Sequence, residues 1–234
     1  MKYIGSKARI CKDILPLILR DKDKHEVYIE PFAGGMNTIC EVSGIKRIAS
    51  DINPYLISMW ENVVYKDFKL PPDLSKDFYM RVKRNRDSYP PWVAGCAGFN
   101  CSYNGGFFRG YAGLTKTKEG FRDYQKEAVN NVLSQKEKLK GVEFLNKNYL
   151  DLNIPKNSLV YCDPPYKDVT HYGEKFDSDK FWSWVKDISI HSKVFISEYT
   201  APSEFECIWE QELTSSLSRK NKTSVERLFT LKNE

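Results

Sequence analysis

The chain has 234 residues, 41% of them hydrophobic, and a formal net charge of +5. That length suits one domain with an insertion or two small domains, with enough apolar material for a core. No run approaches the ~20 apolar residues of a membrane helix, and the opening Met1-Lys2-Tyr3-Ile4-Gly5-Ser6 lacks the apolar block of a signal peptide, so a soluble, cytoplasmic protein is expected. The six cysteines show no C-x-x-C pair and no histidine at zinc-ligand spacing; they read as reduced thiols, and no metal is expected.

In chain order, Ile10, Ile14, Leu17 and Ile18 share one helical face, and Pro16 within that pattern predicts a kink or a late start. Val27 to Ile29 is a short strand ending at Glu30-Pro31-Phe32-Ala33-Gly34-Gly35, and Met36 to Val42 is expected to be helical. Arg47 to Ser50 forms a second strand that ends at Asp51. From about Pro71 to Glu137, two proline pairs and many glycines break the alternation, which reads as an inserted, helix-rich domain. The apolar run Ser158-Leu159-Val160-Tyr161-Cys162 then delivers Asp163, followed by a helix over Asp179 to Ile190 and a strand over Lys193 to Ser197. Two extended pieces, Phe205 to Leu213 and Val225 to Leu231, are expected to pair as an antiparallel edge hairpin. Strands alternating with helices imply an α/β, doubly wound Rossmann-like sheet. Residues 1–70 and 138–234 would form it, with 71–137 inserted.

The charge is uneven. Between Arg81 and Lys126, nine lysines and arginines face three acids, so this stretch is basic while the remainder is close to neutral. A basic insert in a neutral frame points to a polyanion-binding module, although a solvated helical face has the same composition. Arg81, Lys83, Arg84 and Arg86, with Lys116, Lys118 and Arg122, suit phosphate contacts. Tyr103, Asn104, Arg109 and Tyr111 lie among glycines that permit a projecting loop, and asparagine and arginine suit base edges.

Asp163-Pro164-Pro165-Tyr166 is the most informative segment. Two prolines fix φ near −65° and supply no N–H, so the turn is stiff and offers acceptors. A carboxylate beside the Pro164 carbonyl matches the two protons of an exocyclic amine, and the Tyr166 ring matches a base that has left its stack. Tyr172 and Phe176, in the loop that follows, are placed to cover such a base. Asp-Pro-Pro is also ordinary turn chemistry, so the surroundings must weigh. Glu30, Asp51 and Asp163 all fall at strand carboxyl ends, where a doubly wound sheet opens its crevice. Three carboxylates there repel a diphosphate and favour a cation such as the sulfonium of S-adenosylmethionine. Asp51, 16 residues after Gly35, stands where a ribose-binding acid is expected.

Taken in order, these pieces resemble the Dam-type (D12 class, alpha group) DNA adenine-N6 methyltransferases, nearly end to end. Tyr3-Ile4-Gly5-Ser6-Lys7 is similar to that family's N-terminal cofactor motif, Glu30 to Gly35 to its methionine-binding loop, and Ser50-Asp51-Ile52-Asn53 to its ribose-binding acid. Asp163 to Tyr166 matches its catalytic tetrapeptide. Two departures stand out. Met36 replaces a glycine common in the family, and Asn148-Tyr149 stands where many relatives carry an acid and an aromatic, which implies adenine contact through an amide. Phe99 to Arg109 only loosely echoes the segment with which relatives read GATC, so no target is assigned. The resemblance implies binding of S-adenosylmethionine, release of S-adenosylhomocysteine, and methylation of a flipped adenine in double-stranded DNA by a monomer or weak dimer. A methyltransferase acting on RNA or on cytosine N4, and a catalytically inactive DNA-binding module of the same fold, are the alternatives.

Overall fold

A computed structural model describes residues 1–66, 71, 74–118, 120–165, 170–171, 174–215 and 222–232. Among these described residues, eleven strands and six α-helices follow one another: α1 (Cys11–Ile18), β1 (Val27–Glu30), β2 (Lys46–Asp51), α2 (Pro54–Tyr65), α3 (Lys76–Arg84), α4 (Pro91–Gly95), β3 (Leu114–Thr117), β4 (Gly120–Asp123), α5 (Tyr124–Lys136), β5 (Val142–Asn146), β6 (Ser158–Cys162), β7 (Thr170–His171), β8 (Glu174–Lys175), α6 (Ser178–Ser189), β9 (Lys193–Glu198), β10 (Phe205–Ser215) and β11 (Lys222–Leu231).

Seven strands form one sheet in the order β10-β11-β9-β6-β1-β2-β5. β1, β2, β5, β6 and β9 run parallel, whereas β11 is antiparallel to both β9 and β10, which makes the last two strands the expected edge hairpin. The chain moves outward from β1 to β2 and β5, then returns to lay β6 on the other side of β1. The strand order therefore reverses between β1 and β6, the place where a doubly wound sheet opens a crevice at its carboxyl ends. Glu30 ends β1 and Asp163 follows β6, so two of the sequence-predicted carboxylates flank that opening.

The period of two along each strand explains the layers. Tyr28, Ala49, Leu159, Tyr161, Phe195 and Leu228 face α1 and α2, where Ile10, Ile14, Ile18, Leu56, Trp60 and Val63 are packed. Val27, Ile29, Ile48, Val160, Cys162, Ile196 and Phe229 face the other way, onto Phe181, Trp182 and Val185 of α6. Asn53 starts α2: its Oδ1 accepts from the Tyr55 and Leu56 N–H groups at 3.0 and 3.1 Å, and Pro54 occupies the first turn where no donor is needed. α1 runs through Pro16 without a break, because the proline and the Lys12 carbonyl it leaves unbonded both lie on the solvent side.

One sequence expectation needs correction and another an addition. Met36 to Val42 is not a helix; only a 3₁₀ turn over Ile39–Glu41 forms, because Met36 takes a left-handed φ of 56° that interrupts helical geometry at the first residue. The stretch between α2 and β5 is helical as expected but also carries the β3/β4 hairpin, turned at Gly120 with φ 119°. Lys116 and Arg122 lie on its strands and Lys118 in the turn between them.

Candidate active site

A cleft of about 2020 Å³ opens along the carboxyl ends of the central strands. One small-molecule ligand fills ~300–1,000 Å³, so the space admits a cofactor and a second planar group together. Tyr3, Ile4, Gly5, Lys7, Glu30, Pro31, Phe32, Ala33, Gly34, Gly35, Asp51, Ile52, Asn148, Tyr149, Asp163, Pro164 and Pro165 all line it.

The glycine loop is shaped by the N-terminal segment. A Cβ on Gly34, whose φ is 47°, would meet the Tyr3 ring at 2.7 Å, and one on Gly35 would meet Asn37 Nδ2 at 2.6 Å and Tyr3 Cβ at 2.7 Å. Larger residues would push Tyr3 off the loop. Asp51 ties this loop to the next strand end: Oδ2 accepts from Gly34 N at 3.0 Å and Oδ1 from Asn53 N at 2.9 Å. Burial raises the Asp51 pKa to about 6, against the lowering effect of these two backbone bonds.

Glu30 is 3% exposed and accepts from the Tyr28 hydroxyl at 2.7 Å. Burial, opposed by that bond and reinforced by the Asp163 charge, pushes its pKa up to about 8. Asp163 has its pKa raised by burial to about 6, with Lys7 restraining the rise and Glu226 adding to it. Lys7 Nζ lies 3.0 Å from Asp163 Oδ1 and 3.5 Å from Glu226 Oε2. Burial pulls the Lys7 pKa down, but the two carboxylates together outweigh it and the net shift is upward. A short 3₁₀ turn, Lys7–Arg9, capped by Ser6 Oγ accepting from Ala8 N at 3.2 Å, fixes the lysine backbone.

Phe32, Tyr149, Phe176 and Phe181 form an aromatic cluster, with Phe32 and Tyr149 centroids 5.2 Å apart. Ile52 remains 54% exposed at the cleft wall, an apolar face available to a ligand. Asn148 Oδ1 accepts from Leu150 N at 3.0 Å, capping the turn Tyr149–Asp151, and its residue still reaches the cleft.

The donor set fits a cationic methyl donor. Glu30 is a buried carboxylate whose hydrogen-bond partner among the described residues is a phenol rather than a cation, so a positive ligand would relieve the cost of ionising it.

Of the residues predicted to touch DNA, Arg86 and Asn104 reach the cleft lining. Arg81, Lys83 and Arg84 are exposed on the last turn of α3, and Tyr103, Arg109, Lys116 and Lys118 are exposed elsewhere between α2 and β5. Arg122 is held by Glu127 at 2.6 Å and lies over the Tyr124 ring. Tyr111 is half-buried: its hydroxyl donates to Leu74 O at 3.1 Å and its ring meets Tyr79 edge-on. Tyr166 and Tyr172 fall outside the described residues.

The model of D12 class N6 adenine-specific DNA methyltransferases matches residues 3–89 and 94–224. The chain belongs to that D12 class. Its relative M.FokI, a Type II methyltransferase of Planomicrobium okeanokoites, is 25% identical over 223 residues, which is 81% of this chain but only 32% of that protein. The D12-class chain thus spans about a third of the length of this relative. Among solved structures, PH1948 of Pyrococcus horikoshii, described as an RNA methyltransferase, aligns over 94% of this chain and 82% of its own at 11% identity and TM-score 0.44. SMU.472, described as a methyltransferase in complex with S-adenosylhomocysteine, covers 98% of this chain and 54% of its own at 14% identity and TM-score 0.38. Both likenesses are distant.

Sequence reasoning missed Glu226 and Tyr199, which also line the cleft. A signal for Glu226 was present: Glu226, Leu228 and Thr230 share one face of β11 and all three are buried, and a glutamate in such a row asks for a reason.

Proposed function

We propose that this chain methylates N6 of a flipped adenine in double-stranded DNA, using S-adenosylmethionine. The observation that carries the reading is the placement of Asp163-Pro164-Pro165 in one cleft with the buried, cation-seeking Glu30 and the ribose-type acid Asp51, across the point where the strand order reverses. Tyr3, Ile4, Gly5 and the loop Glu30 to Gly35 would hold the methionine end. Asp51 would take the ribose hydroxyls, and Ile52, Asn148 and Tyr149 the adenine.

When bound, S-adenosylmethionine supplies an electrophilic methyl on a sulfonium and leaves as the neutral thioether S-adenosylhomocysteine. The adenine amine is a weak nucleophile because its lone pair is delocalised into the ring. Asp163 and the Pro164 carbonyl accept its two protons, which favours a pyramidal, electron-rich nitrogen in line with the methyl. As the N–C bond forms the nitrogen becomes cationic, and it then loses one proton to Asp163 or to water. With its pKa at about 6, Asp163 is ionised and able to accept at neutral pH. Tyr166 would stack on the flipped base, offsetting part of the few kcal/mol that flipping costs.

The insert, residues 71–137, would engage the duplex. Exposed Arg81, Lys83 and Arg84 suit phosphates, with Arg86 at the cleft rim. The protein would act in the cytoplasm as a monomer or weak dimer. The test pairs two measurements: calorimetric binding of S-adenosylhomocysteine, and methyl transfer to DNA by the wild type and by Asp163→Ala. Retained binding with transfer lost in the variant supports the reading; transfer that survives Asp163→Ala refutes it.

A further inference from the structure

One oxygen of the carboxylate that would accept the adenine amine already carries a cation. Lys7 Nζ sits 3.0 Å from Asp163 Oδ1, and the lysine is only 6% exposed, so water cannot readily replace it there. A fixed ammonium at that oxygen would compete with the amine for hydrogen bonding and repel the positive charge that develops on N6 as the methyl arrives. A second carboxylate lies within reach of the same ammonium: Glu226 Oε2 at 3.5 Å, on a residue 8% exposed. The ammonium donates to both carboxylates, and the two distances differ by half an ångström, so a small side-chain movement shifts it from Asp163 towards Glu226 without any change in the capped backbone turn at Lys7. Glu226 is held in the β10/β11 ladder opposite Gln211, while its neighbour Arg227 is directed to Glu210 and the Tyr199 carbonyl.

We propose that Glu226 is a positioning residue that takes Lys7 from Asp163 when the target amine arrives, freeing the catalytic carboxylate to accept it. The inference rests on the methyltransferase reading above and deepens it, giving the C-terminal hairpin a role in the reaction. With Lys7 moved to Glu226, Asp163 also becomes the better acceptor for the proton that N6 releases. The groups facing Asp163 are Lys7 from the N-terminal turn, Glu226 from β11, Glu30 from β1, and Tyr161 and Cys162 from its own strand, with Tyr199 beside Glu226 and Lys7. Among these Glu226 raises the Asp163 pKa and Lys7 lowers it, so removing the Glu226 charge moves the acid limb of the pH profile downward.

The experiment compares wild type with Glu226→Gln on DNA containing the mapped target, and on the same DNA with purine, which lacks the 6-amine, at the target position. In the variant, Lys7 stays on Asp163. Turnover on the pH plateau and affinity for adenine-containing DNA each fall about ten-fold. The acid limb shifts to lower pH, and affinity for purine-containing DNA and for S-adenosylhomocysteine is unchanged. Glu226→Asp, which keeps the charge and serves if the amide variant does not fold, shows smaller effects in the same direction. An unmoved acid limb, or equal weakening on both DNAs, overturns the inference. Failure of the wild type to methylate DNA would instead overturn the function it rests on.

Discussion

Ionisation of Glu30 makes cofactor binding depend on pH in a defined way. Its carboxyl, buried beside Tyr28 and facing the Asp163 charge, has its pKa raised to about 8 and is mostly protonated at neutral pH in the free protein. A cationic ligand favours the carboxylate, so binding must expel that proton. Each pH unit below the free-state value costs a factor of ten in affinity. Against its high-pH limit, S-adenosylmethionine should therefore bind about a hundred-fold more weakly at pH 6, roughly ten-fold at pH 7 and two-fold at pH 8. The assay is calorimetry without DNA, so that no turnover occurs, in buffers of different ionisation enthalpy. It should report release of about one proton per cofactor near pH 7. Glu30→Gln is the control, because the amino group of the ligand titrates identically with both proteins. The difference between them isolates Glu30, and the variant should lose the steep dependence. The same raised pKa means that Glu30 contributes stability to the free fold below pH 4.5 and loses it as pH rises through about 8. Affinity independent of pH between 6 and 8 in the wild type, or equal proton release by Glu30→Gln, would refute the reasoning.

Three further outcomes follow from the geometry. Asp163→Ala should lower turnover by about 10²–10³ while leaving S-adenosylhomocysteine affinity within a few-fold, since it removes an acceptor needed as charge develops on N6. Gly95→Ala should destabilise the protein by at least ~1–3 kcal/mol in urea titration, because its Cβ would stand 2.2 Å from the Tyr55 carbonyl oxygen and force α4 away from α2. Replacing Arg81, Lys83 and Arg84 together by alanine should weaken binding uniformly across DNA sequences and reduce the salt slope by ~1 for each phosphate contact removed; a change in sequence preference would show instead that these residues read bases.

The strand ends were legible because the signals there are local. Val27 to Ile29 and Ser158 to Cys162 are short apolar runs stopped by proline-bearing turns, and each leaves its acid at the carboxyl end of a buried strand. The edge hairpin was equally readable from its two extended runs. Met36 to Val42 misled because its composition suits a helix, whereas Met36 takes a left-handed φ with its side chain fully buried, a conformation that local pattern does not announce. The backbone there takes a φ that glycine adopts at least cost. Asn148, expected to contact a ligand base, also caps its own turn, and local pattern alone does not separate these roles. The Lys7–Asp163–Glu226 cluster was out of reach because it joins opposite ends of the chain, and only sheet pairing brings the hairpin beside the N-terminal turn. Tyr111 shows the converse: its place among glycines suggested a projecting loop, but the ring is packed against Tyr79 of α3.

The central claim is adenine methylation of DNA through Asp163. Incubation of the protein with methyl-labelled S-adenosylmethionine and unmodified mixed-sequence duplex DNA, followed by digestion and mapping of the modified nucleosides, tests it most directly. Label on N6 of adenine within one short sequence, absent with Asp163→Ala, is the predicted result. Label on cytosine, label only on RNA, or no label despite measurable cofactor binding would contradict it.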